Sequence, residues 1–138
     1  MKHGVRILTL FAAAVLWLVP GACAQFCYTV VKAEIPFPFT VAGRDFPAGQ
    51  YSMVSDTPHV LSLRDDQGRV LATVMTYSVR VEVPPDSPKL RFYVEGERYI
   101  LAEAWRANDE TGYQFYHHKK RTELAKQPKM ETVSGIDR

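Results

Sequence analysis

The sequence predicts an all-β protein: one antiparallel sandwich or small barrel of about eight short strands. Two observations predict it. Apolar residues recur with period two in segment after segment, and turn signals interrupt them about every eight to twelve residues. A third observation supplies the exception, since only Lys119 to Gln127 suits a short helix, which Pro128 ends.

The first 24 residues fall outside that domain. Lys2, His3 and Arg6 form a basic start, and Ile7 to Val19 is apolar apart from Thr9. Pro20 and Gly21 break the run, and Ala22-Cys23-Ala24 places small residues where a signal peptidase reads them. The run of about 13 apolar residues is short of the ~20 that span a bilayer as a helix. Residues 1–24 are therefore expected to be a signal peptide cut between Ala24 and Gln25, and the protein to be exported, periplasmic or secreted. Lipid attachment at Cys23 is the rival, with Pro20 standing where Leu is usual. Three regions follow: the signal at 1–24, a single β domain at 25–127, and a flexible tail at 128–138.

Removal of the signal changes the charge. The whole chain holds 17 Lys and Arg against 15 Asp and Glu, a formal +2. Loss of Lys2 and Arg6 leaves 15 basic against 15 acidic residues. A neutral domain has no general electrostatic pull toward nucleic acid or an anionic membrane. The mature chain keeps one cysteine, Cys27, so an internal disulfide is excluded and a hydrophobic core must supply the stability.

From Val31 to Val41 the odd positions are apolar, and the even positions include Lys32, Glu34, Pro36, Pro38 and Thr40. The prolines predict an edge position or a bend between two pairings. Gly43 and Phe46-Pro47-Ala48-Gly49 mark turns. Tyr51–Ser55 and Val60–Arg64 are short strands on either side of Asp56-Thr57-Pro58. Asp65-Asp66-Gln67-Gly68 is a hairpin turn. Arg69–Tyr77, apolar on both faces, is expected to be central. Val79, Val81 and Val83 alternate with charge until Pro84, Pro85 and Pro88 force a loop. Lys89–Glu95 alternates, Gly96-Glu97 turns, and Tyr99–Trp105 follows with Trp105 inward, in phase with Tyr99 and Leu101. Asn108 to Gly112 turns into a last strand, Tyr113–Tyr116.

Three stretches carry a resemblance. Ala33-Glu34-Ile35-Pro36-Phe37-Pro38-Phe39-Thr40-Val41, then Phe46-Pro47-Ala48-Gly49-Gln50-Tyr51, then Ala104-Trp105 leading through Gly112 to Glu123-Leu124-Ala125-Lys126. Over residues 31 to 127 the chain resembles a family of small secreted acidobacterial proteins with no assigned activity. The resemblance implies a β-rich exported domain of a Gram-negative bacterium and brings no catalytic residues. Where that family often reads Glu-Leu-Pro, this chain has Phe115-Tyr116-His117-His118.

Groups able to carry chemistry are few. Adjacent strand residues point to opposite faces, so His117 and His118 do not converge on one metal, and His59 is the only other histidine of the mature chain. Asp65-Asp66 reads as turn chemistry rather than an acid–base pair or a calcium loop. No Gly-x-Ser-x-Gly elbow and no glycine-rich phosphate loop occurs. The basic run His118-Lys119-Lys120-Arg121 reads as a solvated face. Tyr77, Tyr93, Tyr99, Trp105, Tyr113, Phe115 and Tyr116 crowd the second half, as cross-strand pairs or as a ligand surface.

The expectation is a non-enzymatic exported module, monomeric, with no catalytic, cofactor or metal residues. It acts on an unidentified protein or envelope partner. The alternative is a small-ligand carrier, a β-barrel with an aromatic-lined pocket.

Overall fold

In the computed structural model, which describes residues 27–117 and 129–136, the chain forms ten strands and, among those residues, no helix. β1 (Tyr28–Ile35) buries Val31, Ala33 and Ile35 and exposes Lys32 and Glu34. Pro36 and Pro38 then withdraw two backbone donors, and the ladder ends. The alternation resumes in β2 (Phe39–Val41) against different partners, so the predicted strand is bent between two pairings. Ala42 and Gly43, with φ of 49° and 75°, turn the chain into β3 (Arg44–Phe46), a short strand that sequence reading missed.

β4 (Gly49–Thr57) pairs β1 on one edge and β5 (Val60–Arg64) on the other. β6 (Val70–Arg80) is central, as expected, and longer than expected. Residues 70–75 pair β5, and residues 76–80 pair β9 (Thr111–Phe115). One strand thereby serves two layers. The first is β1-β4-β5-β6. The second continues β6-β9-β8, with β8 (Arg98–Trp105) flanked by β7 (Lys89–Glu95) on one edge. Its other edge is shared between β9 and β2, and the β2 contact is parallel, so the sheet is mixed. The fold is an all-β, sandwich-like arrangement, not closed into a barrel.

The two layers enclose one core. Val31, Ile35, Met53, Leu61 and Leu63 come from the first layer, and Phe39, Leu90, Phe92 and Leu101 from the second. The Phe39 ring meets Tyr51 and Phe92 edge-on at 5.1 and 5.8 Å, and Phe37 stacks on Tyr99 at 3.8 Å. Full burial of Phe39 and of Phe92 contributes ~1.5–3 kcal/mol each.

The expected tail needs correcting. Lys129–Ser134 is a strand, β10, antiparallel to β7 along all six of its residues. Gly135 N–H donates to Pro88 O and Ile136 N–H to Lys32 O, each at 2.6 Å, so the chain end bridges β7 and β1 without closing the sheet. The domain therefore extends beyond 127. Met130 and Val133 lie on opposite phases, which hid the strand. An edge strand held by backbone ladders needs no apolar alternation.

The signal peptide at 1–24, its cut at Ala24–Gln25, Cys23, the helix expected over 119–127, His118 and the run Lys119–Arg121 all lie outside the described residues. No helix among the described residues is long and apolar enough to cross a membrane.

Candidate functional site

A single extra residue sets up the surface of interest. On β7 and β8, Arg91 stands opposite Glu103 and Phe92 opposite Leu101, so Ala102 is the additional residue of a β-bulge. The bulge reverses the phase of β8. Leu101 packs inward beside Phe92, but Glu103 and Trp105 emerge on the outer side with Arg91 and Lys89. Trp105 is buried, at 3% exposure, yet lies outside the core cluster. This corrects the expectation that Trp105 faces inward with Tyr99 and Leu101.

Its cover is local. The indole lies across Gly112 of β9, where a Cβ would come within 2.5 Å of the ring. Trp105 Nε1–H donates to Glu103 Oε2 at 2.9 Å, and Arg91 Nη1 donates to the same oxygen at 3.1 Å. Glu103 is thus held by two donors, and through it the indole is tied to β7.

Three tyrosines gather beside this wedge. Tyr77 on β6 stands opposite Gln114 on β9, and Gln114 opposite Glu103 on β8. Tyr116, just past β9, places its ring 5.2 Å from that of Tyr77. Burial, then Tyr93, Tyr116 and Glu103 close by, raise the Tyr77 phenol above its ordinary range. Tyr93 on β7 lies 5.5 Å from the His117 ring, and His117 Nε2 meets Glu95 Oε1 at 3.0 Å. Met75, Tyr77 and Tyr116 are 67%, 39% and 64% exposed.

The other late aromatics go elsewhere. Tyr99 and Tyr113 pack against the core, and Phe115 lies within it. Tyr113 hydroxyl bonds that of Tyr28, over whose ring Arg106 sits at 4.7 Å. Burial, then the Tyr28 hydroxyl, push the Tyr113 phenol up to about 12.

The histidines do not assemble. His59 sits exposed in the β4–β5 turn with φ of 67°, and His117 is engaged by Glu95. Among the described residues no group of three His, Cys, Asp or Glu side chains is placed to hold a metal ion. Asp65 serves its turn: its carboxylate accepts from Gln67 N–H at 3.0 Å, Arg69 N–H at 2.9 Å and Arg69 Nε at 2.7 Å. Desolvation works against the charge, but these donors, Arg69 first, hold the carboxyl below its ordinary value. Cys27 is exposed, with Sγ 3.8 Å from Asp56 Oδ1.

One further concavity lies apart from the tyrosine face. An open depression of about 440 Å³ on the rim is lined by Phe46, Tyr51, Leu71, Gln50, Asp65 and Arg69, among others. It is a recess beside the β5–β6 turn and not a cavity between the layers. Compared with family models, curated proteins and solved structures, the chain matches none.

Proposed function

We propose that this chain is an exported, non-enzymatic β-domain that works as an interaction module, with the outer face of its second layer as the contact surface. One observation carries the reading. Tyr77 and Tyr116, both exposed and 5.2 Å apart, share with half-buried Tyr93 the outer face of the second layer, which the core does not use and on which Trp105 is buried. Folding alone does not require exposed rings there, and an exposed cluster rimmed by polar groups marks an interaction surface. Export rests on the basic, apolar, small-residue order of residues 1–24, and the resemblance to small secreted acidobacterial proteins supports it.

The test expresses the full chain in a Gram-negative host and fractionates it. The protein is expected outside the cytoplasm, with Gln25 as its first residue, and bound in part to isolated envelope material. Tyr77→Ala/Tyr116→Ala should keep its melting temperature and lose that binding. A double variant that binds envelope material as the parent does would refute the assignment of this face.

The second reading, a small-ligand carrier, is favoured only by the rim depression. An environment-sensitive apolar dye that binds the parent and not a Leu71→Arg variant would support it.

A further inference from the structure

Granted that the outer face of the second layer is the contact surface, its charge order selects what meets the β7–β8 part of it. The middle of that part is apolar. Met130, Tyr93 and Ile100 stand opposite one another on β10, β7 and β8, half-buried, on the side turned away from Phe92 and Leu101. An apolar row bordered by charge has the anatomy of a protein contact.

The borders are ordered. Along the outer side of β7, Arg91 precedes Tyr93 and Glu95 follows it. On β8, Arg98 and Glu103 lie on either side of Ile100, Arg98 opposite Glu95 and Glu103 opposite Arg91. One border of the row therefore reads Arg91, Glu103 and the other Glu95, Arg98, opposite in sign strand for strand. Lys89 on β7 lies beyond Arg91, and the turn that follows Glu95 carries Glu97. Within its own chain Glu95 is opposed by His117 only when the imidazole is protonated, and Arg98 is exposed.

A second copy supplies the complement of this pattern. A half rotation about the apolar row keeps each strand over its own equivalent and reverses its direction. Arg91 then lies over the partner's Glu95, and Glu103 over the partner's Arg98. Each contact is made twice, because a two-fold interface is isologous. Met130, Tyr93 and Ile100 meet the same row of the other copy. A half rotation about the strand direction also matches the charges, but it sets Met130 on Thr40 and Lys89 on Trp105, which are opposite Ile100 and Lys89 in their own sheet. Rotation about the row keeps apolar on apolar and turns Lys89 toward the end that carries Glu97. An unrelated protein matches such an order only by chance, whereas a second copy always carries it.

We propose that the outer side of β7 and β8 pairs with a second copy of this chain in an isologous dimer, its strands antiparallel across the interface, in place of the monomer expected from sequence. Tyr77 on β6 and Tyr116 past β9 lie beside this block and are left to the envelope partner. The test is sedimentation equilibrium of the full mature chain under reducing conditions, which keep Cys27 from cross-linking copies. The parent is expected as a dimer that weakens with salt. Arg91→Glu and Glu95→Lys each set like charges together and should weaken it about tenfold or more. Mixed in equal amounts, the two restore unlike pairs and should form a heterodimer close to parental strength. Arg98→Glu changes an exposed position, leaves the Arg91–Glu103 pair in place, and should weaken the dimer with an unchanged melting temperature.

A parent that stays monomeric up to about 1 mM overturns the proposal. So does an Arg98→Glu dimer as tight as the parent's, or a mixture that stays monomeric while both of its members melt like the parent. Failure of the dimer and failure of the contact face are distinguishable. A monomeric parent whose envelope binding is lost in Tyr77→Ala/Tyr116→Ala removes the second copy and leaves the face. A monomeric parent whose envelope binding survives that change removes both.

Discussion

Gly112→Ala tests the outward Trp105 directly. A Cβ at Gly112 would lie 2.5, 2.6 and 2.7 Å from Cε3, Cδ2 and Cε2 of the indole. Carbon atoms in contact sit ~3.5–4.0 Å apart, so the ring must retreat by about 1 Å. It cannot do so freely, because Nε1–H is tied to Glu103 at 2.9 Å and Glu103 to Arg91 at 3.1 Å. Overpacking of this kind costs ~1–3 kcal/mol. Replacing glycine restricts the unfolded chain, which offsets ~0.4–1 kcal/mol. The net expectation is a loss of ~1–2 kcal/mol, measured as the urea midpoint of the mature chain at constant slope. In a Trp105→Ala background the obstacle is gone, and the same substitution should be neutral or slightly stabilising. Trp105→Ala alone should cost ~3–5 kcal/mol. An equal cost for Gly112→Ala with and without the indole would refute the packing of Trp105 on this strand.

Three further outcomes follow from the geometry. Truncation after Gln127 should lower stability by ~2 kcal/mol or more, because it strips the β10 ladder from β7 and the Ile136 bridge to β1; a melting curve like that of the full mature chain would mean the β10 pairing contributes nothing. Tyr113 has a folded-state pKa of about 12 against an ordinary 10.0, so its contribution is fully present below pH 10 and is lost as pH rises toward 12. Denaturation midpoints measured across that window should fall more steeply for the parent than for Tyr113→Phe. Asp65→Ala leaves two turn N–H groups without their carboxylate and should lower the urea midpoint, an effect absent from Asp66→Ala.

The fold was legible wherever one face of a strand is buried and the other is wet. Lys89–Glu95 alternates from end to end and forms β7 over the residues expected. Val60–Arg64 also forms β5 over the residues expected, although Ser62 is buried along with Leu61 and Leu63. The bend at Pro36–Pro38 was readable because proline removes donors whatever its surroundings. β3 is three residues long, too short for any period to be seen. β10 was invisible for another reason. Its stability comes from backbone pairing with a strand distant in sequence, and its side chains, with Glu131 and Thr132 exposed between Met130 and Val133, carry no pattern. The break expected at Asp56-Thr57-Pro58 came a little late, since Asp56 is taken up at a register shift within β4 and pairs with Arg64.

The tyrosine face was hidden by one residue. In a strand, displacement by a single position exchanges the two faces, so an inserted residue inverts everything beyond it. Reading β8 by alternation alone puts Tyr99, Leu101, Glu103 and Trp105 on one side, and the side is wrong for the last two. The sequence does hold a warning, because a glutamate in an apolar phase signals that the phase has changed. What it does not hold is the order β6-β9-β8-β7. The last strand before position 117 returns between two earlier ones, and only that return brings Tyr116 beside Tyr77 and His117 beside Tyr93. Each of these residues was recognisable as an aromatic or a histidine late in the chain, but their assembly depends on strand order and on the Ala102 bulge together. Deleting Ala102 tests the bulge itself. It joins Leu101 directly to Glu103, which leaves Phe92 opposite Leu101 and Arg91 opposite Glu103 in unbroken alternation, so Glu103 and Trp105 keep the outer face. The expected result is a folded domain in which Gly112→Ala costs as much as it does in the parent, read from urea midpoints. A variant in which that cost vanishes would show that the bulge, and not the pairing beyond it, holds Trp105 on Gly112.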